Sequence, residues 1–168
     1  TPFQGVLYFG LMLTADGPKV IEYNARFGDP ETQVILPLLK TDLLEIMEAI
    51  EEHRLDAVSM EWEDMACACV VLCSGGYPEQ YAKGLPISGL EKWPLRRSGD
   101  TVQSGQTLEM VFASGTEINN DGVTVTAGGR VLGVISRAVD LPTALEKCYE
   151  MAQDISFERL HYRRDIGS

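Results

Sequence analysis

Apolar and polar positions along this chain follow first a short period, then a longer one, then a short one again. Val6-Leu7-Tyr8-Phe9-Gly10-Leu11-Met12-Leu13 is an apolar, strand-like run, Ala15-Asp16-Gly17-Pro18 reads as a turn, and Lys19-Val20-Ile21-Glu22-Tyr23-Asn24 predicts a second strand. The two form a hairpin, which needs other strands to be stable. After Ala25-Arg26-Phe27-Gly28, the run Asp29-Pro30-Glu31-Thr32 has the form of a helix start, with Asp as cap, Pro at the first helical position and an acid in the first turn. Pro37 removes a donor inside that stretch and should end or kink the helix before Lys40-Thr41. Apolar residues at 43, 46, 47 and 50 make Asp42 to Glu52 an amphipathic helix.

Between His53 and Met65 the sequence turns acidic and loses its period, which places a domain boundary there and divides the chain into residues 1–60 and 61–168. The second part is mostly β. Residues 66–73 form a strand ending in the turn Ser74-Gly75-Gly76-Tyr77-Pro78, and Met110-Val111-Phe112-Ala113 forms a short one. Asn119-Asn120-Asp121-Gly122 offers the positive-φ residues of a tight hairpin into Val123-Thr124-Val125-Thr126. Ala127-Gly128-Gly129 then turns the chain into Val131–Ser136, and Leu141 to Ile155 closes it with an amphipathic helix. The stretch Leu90 to Gln106, containing Arg96-Arg97-Ser98-Gly99-Asp100, is the most loop-like and is expected to move. The fold class is therefore α+β.

Composition narrows the function. With 168 residues, 45% of them apolar, the chain can bury a core in one ordinary domain or two small ones. No apolar run approaches the roughly 20 residues that span a bilayer, so no membrane partner is expected. The opening Thr1-Pro2-Phe3-Gln4-Gly5 has no secretory leader and no initiator Met, and the chain is expected to begin inside a longer protein. Lys plus Arg is 14 and Asp plus Glu is 25, a net charge of −11, which argues against nucleic acid as a partner. An anionic substrate would need a few placed Arg residues, a helix N-terminus or a divalent cation. Cys67, Cys69 and Cys73 share one strand face and Cys148 lies far along on a helix. Their spacing is not that of a zinc site, so they read as core thiols, and reduced thiols fit a cytoplasmic location.

Candidate chemistry gathers at the end of the second strand. Glu22 and Asn24, two residues apart, emerge on one face and offer a carboxylate and an amide oxygen, the hard donors that Mg²⁺ accepts beside water and phosphate. A solvated polar pair would look the same. Arg26 follows at the strand exit and can fork onto a phosphate or carboxylate. Gly28 permits a tight backbone, and Asp29 and Glu31 serve either as helix caps or as partners of a substrate amine and hydroxyl groups.

These residues carry a resemblance. Glu22-Tyr23-Asn24-Ala25-Arg26 resembles the E-x-N-x-R signature of ATP-grasp ligases, and the longer run Glu22 to Gln33 resembles the version found in glycinamide ribonucleotide synthetases. The likeness continues through Gly5-Val6-Leu7-Tyr8, Gly76-Tyr77-Pro78, Lys83-Gly84, Ala113-Ser114-Gly115-Thr116, Thr126 to Leu132 and Tyr162 to Gly167, essentially the whole chain. It implies the C-terminal part of an ATP-grasp domain, strands plus two helices, followed by a small β-rich, barrel-sandwich-like domain with a terminal helix.

The implied activity uses ATP and Mg²⁺ or Mn²⁺ to join glycine and 5-phosphoribosylamine through glycyl phosphate. In that family Glu22 and Asn24 would hold the metal and, through it, the nucleotide. Arg26 would be the catalytic residue that neutralises phosphate or acyl phosphate, and Asp29 and Glu31 would line the substrate pocket. Arg130, with Arg163-Arg164-Asp165, would help with the ribose phosphate; a surface turn and a solvated basic tail are the plainer reading. The residues that hold adenine would come from the rest of the ligase, upstream, so the isolated chain is expected not to turn over. Two other readings stay open: another ATP-grasp carboxylate–amine ligase or a carboxylase, and a non-catalytic carrier or interaction module built on the hairpins of residues 110–136.

Overall fold

A computed structural model of the chain describes residues 2–93, 95 and 103–167, so most of the expected loop between Leu90 and Gln106, Arg96 to Asp100 included, lies outside the described residues. The chain divides into two compact units, Thr1–Glu63 and Asp64–Ser168.

In the first unit, β1 (Tyr8–Thr14) and β2 (Gly17–Asn24) pair antiparallel through the two-residue loop Ala15-Asp16, with Gly17 at φ +95°. The register slips by one between Gly10 and Leu11, so that Leu11 faces Val20 while Gly10 faces Glu22 and Tyr8 faces Asn24. This bulge decides which β1 residues share a face with the candidate ligands. Phe9 and Tyr23 pair on the opposite face, their rings edge-on with centroids 5.0 Å apart. Helix α1 is a single turn, Thr32–Ile35, that tightens into a 3₁₀ turn at Leu36–Leu38 with Pro37 at its start.

The expected cap at Asp29 is not there. Asp29 lies before a cis bond to Pro30, the residue at the N-cap position is Glu31, and it makes no side-chain cap. The first turn is secured instead by Thr32, whose backbone N–H donates to the Gly28 carbonyl at 3.1 Å and whose hydroxyl donates to the same oxygen. Helix α2 (Leu43–Glu51) falls within the expected span 42–52, and Asp42 caps it, its carboxylate accepting from Leu44 N–H at 2.8 Å. It buries Ile46 and Ala49, and the chain leaves it through His53, a non-glycine residue at φ +55°.

The second unit is built on a four-stranded antiparallel sheet in the order β4-β7-β3-β8, formed by β3 (Ala66–Ser74), β4 (Leu108–Ala113), β7 (Arg130–Ala138) and the two-residue β8 (Leu160–His161). A separate ribbon pairs β5 (Thr116–Ile118) with β6 (Thr124–Thr126). In the loop joining that ribbon only Gly122 has positive φ, and the Asn119 side chain braces the turn by accepting from Asp121 and Val123 N–H at 3.0 and 2.9 Å.

One sheet face carries Ala68, Val70, Leu72, Val111, Leu132 and Val134, and it packs with Ala144, Cys148, Met151 and Ala152 of helix α3 (Leu141–Asp154) into the core. The strand alternation sorts the cysteines differently from expectation. Cys67, Cys69 and Cys73 lie half-buried on the other sheet face, whereas Cys148 is the core thiol. Cys148 donates to the Ala68 and Val134 carbonyls at 3.3 and 3.6 Å, and burial pushes its thiol up to about 12.

Helix α3 begins at Asp140, whose carboxylate accepts from Thr143 N–H at 2.8 Å, with Pro142 in the first turn. Hydrogen bonding from Thr143 holds the Asp140 carboxyl below the usual carboxylate range. Because the folded pKa is depressed, the cap stabilises above the unfolded aspartate pKa and its contribution is lost as pH falls through the folded value. Asp140→Ala should therefore lower the thermal midpoint of the second unit by several degrees at pH 7. The deficit should shrink in acid, where wild type loses the same interaction. Equal deficits at pH 7 and pH 2.5 in paired melts would contradict the charged-cap account.

Candidate functional site

The bulged hairpin sets the site. On one face of β1–β2, Tyr8 and Gly10 stand opposite Asn24 and Glu22. Gly10 matters for its missing side chain: a carbon there would approach Glu22 Cγ to 3.0 Å, so the glutamate stem lies over bare backbone. The Asn24 amide donates to Glu22 Oε1 at 3.1 Å, which confirms that the two side chains project together, and Glu22 reaches solvent. A carboxylate and an amide held side by side at the surface form a fitting partial donor set for a hard divalent cation. Among the described residues no three His, Cys, Asp or Glu side chains converge as a complete metal cage.

Glu31 joins the cluster by a route the sequence did not disclose. Gly28 is buried, and a side chain on it would run into the Glu31 carboxylate, with the Tyr8 ring 3.6 Å from the same point. The Glu31 carboxylate thus folds into the space that a side chain at Gly28 would take, and Gly28 has no positive φ. Burial, then the Glu31 carboxylate by hydrogen bonding and charge, then Glu22, all push the Tyr8 phenol up. Tyr8, Glu22, Asn24 and Glu31 therefore form one polar cluster. Tyr8 is the member missed from sequence, because its place opposite Asn24 depends on the bulge.

Asp29 points elsewhere, accepting from the Gln33 amide at 2.6 Å one turn along. Arg26 donates to the Phe27 carbonyl at 2.8 Å and lines a 340 Å³ cavity whose far wall is Met47, Ile50 and Glu51 of α2. Gln4 also lines it and donates to the Ile50 carbonyl at 2.5 Å. The strand exit therefore presents the Glu22–Asn24 pair and, separately, a guanidinium beside a cavity large enough for a small substrate.

In the second unit, Arg130 opens β7 with its Nε 3.3 Å from the Tyr77 hydroxyl. The C-terminal cluster is occupied internally: Arg163 forks onto Asp165 with contacts of 3.0 and 2.9 Å, and the Arg164 guanidinium lies 5.4 Å from the centre of the Tyr162 ring.

Residues 67–168 match the family model described as phosphoribosylglycinamide synthetase, C domain, and residues 1–32 match that of its ATP-grasp (A) domain. The chain is 48% identical over 166 residues to a phosphoribosylamine–glycine ligase of Caldanaerobacter subterraneus subsp. tengcongensis, covering 99% of this chain and 36% of that protein. It is 50% identical over 167 residues to the trifunctional purine biosynthetic protein adenosine-3 of Gallus gallus, covering 99% of this chain and 16% of that protein. A crystal structure of phosphoribosylamine–glycine ligase from Thermotoga maritima superposes with a TM-score of 0.70 at 32% identity, over 95% of this chain and 36% of that one. The chain thus spans 36% of the length of these two bacterial ligases, one matched in sequence and the other in structure.

Proposed function

Because this chain belongs to the phosphoribosylglycinamide synthetase family, we propose that it supplies the metal and substrate end of an ATP-dependent ligase joining 5-phosphoribosylamine to glycine. In that reaction a glycine carboxylate oxygen takes the terminal phosphoryl group of ATP and releases ADP. The amine of 5-phosphoribosylamine then displaces phosphate from the acyl carbon to give glycinamide ribonucleotide.

The observation that carries the proposal is the Glu22–Asn24 pair, held together at 3.1 Å on one face of a bulged hairpin. These two residues would hold Mg²⁺ or Mn²⁺. The ion would neutralise the nucleotide phosphates when bound. Arg26 would offset charge on the transferring phosphoryl group or the acyl phosphate from beside its cavity, acting by position and charge rather than as a nucleophile. Glu31, held by Tyr8 and by the space over Gly28, would accept from the substrate amine or a hydroxyl, with Asp29 beside it in sequence. Arg130 would take the ribose phosphate.

The rest of the ligase is the first partner. Phe9, Leu11, Leu13, Ile21 and Tyr23 of the hairpin are all about half or more exposed, and a lone two-stranded hairpin is at best marginal in water. These side chains would be covered by the remaining strands of the ATP-grasp domain, which also bring the adenine site. No helix is long and apolar enough to cross a membrane among the described residues. A soluble small-molecule ligase fits the cytoplasm.

ADP release by the intact protein should require glycine, 5-phosphoribosylamine and a divalent cation together. Release supported by bicarbonate in place of glycine would point to a carboxylase and overturn the assignment. The 168-residue chain by itself should release no ADP.

A further inference from the structure

We infer that Tyr77 is a positioning residue, holding the Arg130 guanidinium at a subsite for a phosphate monoester; this rests on the assignment of Arg130 to the ribose phosphate.

Three segments meet backbone to backbone under this arginine. Ser74, only 2% exposed, donates its N–H to the Gly129 carbonyl at 2.8 Å and its hydroxyl to the Gly128 carbonyl at 2.9 Å. A side-chain carbon on Gly115 would come within 2.6 Å of Gly128 Cα, so the 115 and 128 backbones touch directly. One on Gly129 would run into the Tyr77 ring, which occupies the space a side chain there would fill. Tyr77 is fastened from its own side by its N–H, which donates to the Ser74 carbonyl at 3.1 Å, and by the Tyr81 ring packed edge-on at 6.1 Å. This packing sets the Tyr77 hydroxyl 3.3 Å from Arg130 Nε.

Packing against Gly129 needs only the ring, and phenylalanine would serve. The hydroxyl adds orientation. A guanidinium is planar, so holding Nε constrains its plane and the direction in which its outer N–H groups point, the geometry by which a guanidinium forks onto an oxyanion such as phosphate. The charge is felt locally too: Cys73 stands opposite Arg130 in the β3–β7 register, and the nearby cation opposes the upward push of burial on its thiol. Tyr77, Gly129 and Arg130 thus form a built platform, with a tyrosine holding the cation it presents.

The test uses the intact ligase and its steady-state parameters. Tyr77→Phe should raise KM for 5-phosphoribosylamine about 3- to 10-fold, while kcat and the KM values of ATP and glycine stay within about twofold. Arg130→Ala should raise the same KM about 10- to 100-fold. Adding Tyr77→Phe to Arg130→Ala should change nothing more, because the hydroxyl acts through the guanidinium. An unchanged KM in Tyr77→Phe, with Arg130→Ala impaired, would overturn the positioning role and leave the Arg130 assignment standing. An equal further loss in the double variant would also overturn it, since the tyrosine would then act independently. A normal KM in Arg130→Ala would remove the assignment and this inference together.

Discussion

Glu22→Gln in the intact ligase should cut kcat for glycine-dependent ADP release by about 10²–10³-fold, the scale on which a single group that stabilises developing charge is felt. Glutamine keeps the shape of the side chain and its place over Gly10, but it removes the charge that would draw a divalent ion to the Asn24 amide. Because Glu22 is exposed, the unfolding midpoint should hardly move, which separates lost chemistry from lost structure. Part of the activity should return at high Mg²⁺ or Mn²⁺ if the lesion is weakened metal binding. A variant that retains wild-type kcat at limiting metal would remove Glu22 from the ligand set, and with it the observation on which the functional proposal stands.

The largest effect on stability is expected at Leu132→Ala. Leu132 is fully buried in the central strand β7, between Leu72 on one neighbour and Ala113 on the other, and it belongs to the cluster that α3 covers. Truncation there removes apolar surface from the core and leaves a cavity that two hydrogen-bonded neighbours cannot easily close, at a cost of about 2–5 kcal/mol. Denaturant titration of the second unit, followed by the near-UV signal of Trp93 and the tyrosines, measures it. A loss under about 1 kcal/mol would mean the sheet–helix contact is looser than the burial of Leu132 implies.

Much of the framework was legible because it depends on neighbours in sequence. The apolar runs of β1 and β3, the apolar stripe of α2, the stop imposed by Pro37 and the apolar stripe of α3 are all local effects of side-chain type and period. Strand β8 was not legible. Two residues carry no period, and Leu160 and His161 become a strand only because the edge of β3 is there to receive them. The Asp29-Pro30-Glu31 cap failed for a related reason: its letters suit a helix start, but the helix begins at Thr32 after a cis Asp29–Pro30 bond, and Asp29 is drawn to Gln33.

For the site, sequence by itself determined that Glu22 and Asn24 share a face, since a period of two in an extended chain leaves no alternative. It could not determine what lies beside them. A hairpin paired without interruption from Thr14 and Gly17 would have set Tyr8 against Tyr23; the extra residue absorbed opposite Gly10 and Leu11 moves Tyr8 to Asn24 and places bare backbone under Glu22. The space over Gly28 that Glu31 fills, and the ring of Tyr77 lying on Gly129, were likewise decided only in three dimensions. Side-chain period is a property of one strand, whereas register and close backbone approach are properties of two segments meeting, and only the folded chain brings those segments together.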